Sequence, residues 1–157
     1  MLAQMTACFS GPGSFDDVPG RNQHREKVLD QLATLIDSGD HLFIPMAAIV
    51  EVGNHIAHVD NGAHRWSAAE RFVTEVRSAL ANEAPWKPIK FPANQEVLKW
   101  LNAFPDSAMK GIGMGDLSIC QEWDACCHQY SMSRVWVWTL DRDLAGLNRP
   151  ATRSSAV

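Results

Sequence analysis

A chain of 157 residues, 46% hydrophobic and 20% charged, has the size of one ordinary domain and enough apolar surface to build a core. Its net charge of −4 argues against a nonspecific polyanion binder held by a broad basic surface, but leaves room for a locally acidic site rimmed by a few arginines. No run approaches the ~18 apolar residues that cross a bilayer, and the opening MLAQMTACFSGPGS has neither a basic leader nor a long apolar stretch. The expectation is one soluble, cytoplasmic domain over residues 1–157, without a membrane partner.

Along the chain, SGPGSFDDVPGRN (10–22) is dense in Gly, Pro, Asp and Asn and reads as an irregular loop. Residues 1–20 are expected to hold only that loop and part of a first helix, with Met1 and Leu2 inside the helix. REKVLDQLATLI then sets Val28, Leu29, Leu32, Leu35 and Ile36 at helical spacing and stops at Ser38-Gly39. HLFI (41–44), closed by Pro45, fits a short buried strand. MAAIVEVGNHIAHV (46–59) and SAAERFVTEVRSALAN (67–82) read as helices, PIKF (88–91) as a strand, and ANQEVLKWLNAF as the helix after it. GDLSICQEWDACCHQY (115–130) repeats Leu117, Cys120, Trp123 and Cys127 as one apolar helical stripe. RVWVWTL (134–140) is apolar on both faces, as a strand covered by helices from either side is, and 148–157 reads as a flexible tail. Strands alternating with helices indicate an α/β fold on a mainly parallel sheet, in which functional residues gather beyond the carboxyl ends of the strands.

Four acids stand at such places: Glu51 in the helix after HLFIP, Asp116 opening a helix, and Asp141 and Asp143 after RVWVWTL. Carboxylates brought within a few ångströms repel one another, so a cluster of them at pH 7 needs protons or a cation. Magnesium or manganese suits all-oxygen sites, and either can activate water and neutralise charge on a phosphate, the chemistry of phosphodiester hydrolysis. Each acid also has a plain structural use. An aspartate at a helix start caps free N–H groups, aspartates after a strand form turns, and Glu51 between Val50 and Val52 can simply face solvent.

FIPMAAIVEVGNHI resembles the second acidic motif of PIN-domain ribonucleases, GIGMGDLSICQEWD their third, and TLDRDL their fourth, over residues 21–147. The resemblance implies a PIN-like three-layer fold, with helices flanking a mainly parallel sheet. It implies Glu51, Asp116 and Asp141 as catalytic metal ligands for Mg2+ or Mn2+, Asp143 as a further acid at the metal, and Thr139 and Arg142 as accessory residues. It implies cleavage of RNA, as by the toxin half of a bacterial toxin–antitoxin pair of the VapC type, with an antitoxin protein as partner and a homodimer as a further association. PIN domains open with a central strand running into an aspartate-bearing motif, and MLAQMTACFSG carries no acid before Asp16. The first central strand is therefore expected to be missing. This leaves as alternatives a catalytically impaired or inactive protein-interaction module, or a truncated reading frame of a PIN nuclease.

Other groupings have simpler readings. Glu51, His55 and His58 form an i, i+4, i+7 stripe that could chelate zinc or iron, yet equally fits a solvated helix face. Cys120, Cys126, Cys127 and His128 lack zinc-type spacing, and the four cysteines read as reduced, mostly buried thiols. Trp136 and Trp138 read as core mass ahead of base-stacking surfaces. Arg134 and Lys110 join Arg142 as basic candidates for phosphate contact.

Overall fold

The computed structural model describes residues 3–5, 21–139 and 143–151, with side chains from Lys27 onward. In chain order these form strand β1 (Ala3–Met5), helix α1 (Arg21–Asp37), strand β2 (His41–Ile44), helices α2 (Met46–Ala57) and α3 (Gly62–Leu80), strand β3 (Trp86–Pro88), helices α4 (Asn94–Met109) and α5 (Met114–Gln129), and strands β4 (Val135–Trp136) and β5 (Asn148–Arg149). β2 lies between β1 and β3 in a parallel sheet, with Ala3 opposite His41 and Leu42 opposite Trp86. β4 lies against β1 and pairs antiparallel with β5, Val135 opposite Arg149.

Several sequence expectations need correction, among them PIKF (88–91), whose strand lies instead at Trp86–Pro88. Residues 1–20, expected to hold only a loop and part of a first helix, include a strand, Ala3–Met5, which pairs with β2; Met1 and Leu2 lie outside the described residues. Three residues are too few to show a period, and their strand identity comes from the ladder that β2 offers. Asn148 and Arg149, placed in a flexible tail, form β5, held further by Arg149 Nη2–H donating to the Tyr130 and Ser133 carbonyls at 2.7 and 3.0 Å. RVWVWTL, read as one long strand, is a strand only at Val135–Trp136, with Val137 in a single bridge beyond it.

Helix ends follow local chemistry. Asn61 caps α3 through Oδ1, which accepts from the Ala63 and His64 N–H groups at 2.9 and 3.1 Å, and this starts the helix earlier than its apolar pattern suggested. Gly39 and Gly111, at φ of 71° and 77°, close α1 and α4 in left-handed geometry. The following N–H of Asp40 and of Ile112 reaches back to Leu35 and Ser107, satisfying carbonyls the helix leaves open.

Alternation along β2 divides the core. Leu42 and Ile44 join Leu35, Ala48, Ala79 and Trp86 from α1, α2, α3 and β3. Phe43 packs instead with Cys126, Cys127 and Val135 from α5 and β4. Successive side chains of a strand point to opposite faces, so helices buttress β2 from both sides. α2 and α3 are held together by Val52, Ile56 and a fully buried Ala68.

Candidate functional site

Pro45 closes β2 and precedes the first residue of α2. Val52 and Ile56 bury against α3, leaving Glu51 on the exposed side. α5 starts from Gly113 in extended conformation with no side-chain cap, and Asp116 lies in its first turn. The first N–H groups of α5 thus have no partner inside the helix, and its positive dipole end lies at this start. A Cβ placed on Gly115 would stand 3.6 Å from Glu51 Oε1, and one on Gly113 would stand 3.8 Å from Asp116 Oδ2. The two carboxylates therefore border the same glycine-flanked helix start.

One apolar cluster explains why these segments meet. Ile119, one turn beyond Asp116, packs with Val137, two residues before the TLDRDL segment, with Leu144, its last residue, and with Ala47, one turn before Glu51. The Val137 N–H donates to the Leu147 carbonyl at 2.9 Å, pinning both ends of the loop between them. Thr139 is half-buried in that loop and Asp143 is exposed in the turn that follows. Asp141 and Arg142 lie outside the described residues. Among the described residues, no three Asp, Glu, His or Cys side chains gather where a cation could be held; Glu51 and Asp116 are brought together, and Asp143 does not complete such a group.

Val135 and Val137 are buried as expected, at 1% and 3% exposure. Trp138, expected to be buried, is half-buried because its ring reaches α1, where Nε1–H donates to Gln31 Oε1 at 3.1 Å. Trp136 packs at the edge of the same core with Arg134 over its ring at 5.6 Å. Arg134 also donates to Asn148 Oδ1 at 3.1 Å, so of the proposed phosphate contacts this one is already engaged within the fold. Lys110 is exposed just past the end of α4.

His55 and His58 lie with Glu51 on a solvated face, all three exposed. His128 is exposed and 3.6 Å from Asp124, while Cys126 and Cys127 point into the core. Burial, then the charges of Glu122 and Cys127, push the Cys126 thiol up to about 11. It stays protonated at neutral pH, as an inert core thiol does. Burial and then Asp116 also raise Cys120.

Sequence reasoning missed one acid. Glu122 is only 7% exposed, and its Oε2 has no hydrogen-bond partner among the described residues. Burial first, then the charge of Glu96 at the start of α4, push it up to about 7. The available signal was phase: α5 buries Leu117, Ser118, Ile119, Glu122, Cys126 and Cys127, a face that shares Leu117 and Cys127 with the Leu117–Cys120–Trp123–Cys127 stripe but is centred to one side of it.

No helix among the described residues is long and apolar enough to cross a membrane. No family model, curated protein or solved structure matches the chain.

Proposed function

We propose that the chain is a PIN-type ribonuclease of three-layer α/β architecture that hydrolyses RNA with the help of Mg2+ or Mn2+, as the toxin of a toxin–antitoxin pair would. The observation that carries this reading is the approach of Glu51 to the start of α5 beside Asp116, against the loop that follows β4. Two carboxylates on adjacent elements are a hard-oxygen donor set of the type a divalent cation takes. Glu51, Asp116 and Asp141 would hold the ion, with Asp143, Thr139 and Arg142 accessory, and the ion would supply an activated water and charge neutralisation at the phosphate. Glu51 and Asp116 also meet the N-terminal dipole of α5.

A second reading, a catalytically impaired PIN-like module that binds a protein partner, is favoured by a separate observation. β1 runs into Thr6, Ala7 and Cys8, and no acid occurs before Asp16. The strand that bears a principal ligand in the family it resembles offers none here. Magnesium titration by calorimetry, paired with single-stranded RNA cleavage, separates the two. The nuclease reading expects weak binding and slow cleavage, both lost in Glu51→Gln and Asp116→Asn. Cleavage that persists in excess chelator ends the metal mechanism, and no binding with no cleavage leaves the interaction module.

A further inference from the structure

β3 ends beside β2 with its ladder extended by one bond, in which the Ile89 N–H donates to the Ile44 carbonyl at 2.9 Å. The two strands run parallel, so Lys90 and Phe91 emerge at the carboxyl edge of the sheet, next to Pro45 and the start of α2. Glu51 stands about 8 Å along α2 from its first residue. Ala47, in the first turn, packs on Ile119, one turn beyond Asp116. The acid pair and the segment after β3 therefore share one edge of the fold, with the start of α2 between them.

That segment presents an aromatic ring to solvent. Phe91 is 76% exposed and joins none of the apolar clusters of the described residues. Pro88 and Pro92 bracket it, fixing φ at two positions and favouring extended backbone at Phe91 itself. Ile89 anchors the segment against the cluster of Cys126, Cys127 and Val135. The ring is thus carried on a stiffened, anchored stretch of chain, and the charge beside it has one sign. In a chain of net charge −4, residues 84–95 carry Lys87 and Lys90 and no acid. Both lysines are exposed, and neither makes an ion pair among the described residues. Glu96, the next acid along the chain, is turned onto the Ala93 N–H.

We propose that Lys87, Lys90 and Phe91 form a track for single-stranded RNA, with Phe91 stacked on one base and the lysines at the adjoining phosphates, which leads the strand to Glu51 and Asp116. The track rests on the ribonuclease reading and adds to it the residues that position the substrate. An exposed ring beside unpaired lysines holds single strands without regard to sequence, because every base has a π face and every nucleotide a phosphate. A duplex keeps its bases stacked on one another and offers the ring nothing, so the track selects unpaired RNA. Lysine is depleted at the cores of protein–protein interfaces, which favours a polyanion over a protein as the occupant of this segment.

Fluorescence anisotropy of a labelled oligouridine, titrated with the full chain in excess chelator, measures binding apart from cleavage. Phe91→Ala should weaken binding by about 10-fold and leave its salt dependence unchanged, whereas Phe91→Trp should bind as the parent does. Lys87→Gln and Lys90→Gln should each weaken binding and each lower the slope of log K against log salt by about 0.7, a selective change that damage to the fold does not produce. With magnesium present, Phe91→Ala should raise KM for cleavage and spare kcat, the split expected of a positioning residue. Binding with these dependences but no cleavage supports the track and ends the ribonuclease reading. Cleavage that the three alterations leave unchanged overturns the track and keeps the nuclease. Duplex RNA bound as tightly as the single strand also overturns the track. A parent chain that binds no oligouridine even at low salt overturns both.

Discussion

Asp116 and Glu122 lie on one helix less than two turns apart, and the fold treats them in opposite ways. Asp116 sits in the first turn of α5, half-buried, at the positive end of the helix dipole. Glu122 sits in the middle of the helix, with Oε2 buried and unpartnered and Glu96 acting on it from α4. An acid at a helix start can be ionised, solvent-open and available to a cation. A buried acid without a partner holds its proton, because ionising it costs desolvation that nothing offsets. Acidity alone therefore does not mark a site; the charge state that the surroundings impose does.

The sharpest break of this comparison is kinetic. If the proposed metal mechanism holds, Asp116→Asn and Glu51→Gln should lower metal-dependent RNA cleavage by at least ~100-fold, because each would remove a coordinating oxygen at the ion. Glu122→Gln should change it less than about twofold. Equal losses at Asp116 and Glu122 in a cleavage assay would show that the buried acid shares the chemistry.

Next in size is the pH dependence of stability. The folded-state pKa of Glu122 is raised from 4.5 to about 7, so between these values the native state holds a proton that the unfolded state has lost. Its contribution to stability is complete below the unfolded value, falls as pH rises through this window, and levels off above the folded value. Allowing for solvent screening, the loss is roughly 2–3 kcal/mol. Urea titrations across this range should show the decline in the parent chain and a nearly flat contribution in Glu122→Gln. An unchanged slope in the variant would mean that Glu122 is not the group responsible.

A smaller effect comes through Glu96, whose carboxylate accepts from the Ala93 N–H at 2.6 Å and caps the start of α4. Glu96→Gln keeps an acceptor for that N–H while removing the charge that acts on Glu122. It should lower the Glu122 midpoint by less than about one unit, since desolvation remains the larger cause. Carboxyl carbon resonances followed by NMR read this directly, and a midpoint that rises would contradict the assignment of Glu96 as a repelling neighbour.

The smallest expected change is in the metal-free stability of Asp116→Asn. A first-turn carboxylate gains about 0.3–1 kcal/mol from the dipole. Thermal unfolding in chelator should shift by less than about 1 kcal/mol. A large destabilisation would instead identify Asp116 as a structural cap.

Much of the architecture was legible along the chain. HLFI before Pro45 was placed residue for residue, and the helices over α1, α2, α4 and α5 were found from their apolar spacing, because these signals are local. Asn61 as a cap was missed, although its side chain is the reason α3 starts where it does. The candidate acids Glu51 and Asp116 were named from pattern and resemblance, and their approach to one another rests on Gly115 and on the packing of Ala47, Ile119 and Leu144.

What the sequence determined by itself was the set of elements with strong local periods or stops, and the order in which the acids occur along them. The tertiary structure alone decided that Ala3–Met5 is a strand, because a three-residue segment takes its conformation from the ladder on β2. It alone rotated α5 so that Glu122 turns inward while Cys120 stays half-exposed, since burial depends on which neighbours a helix meets and not on its own pattern. It alone left Phe91 in solvent: an apolar residue beside a strand reads as core mass, and only the assembled fold shows that no described element covers it.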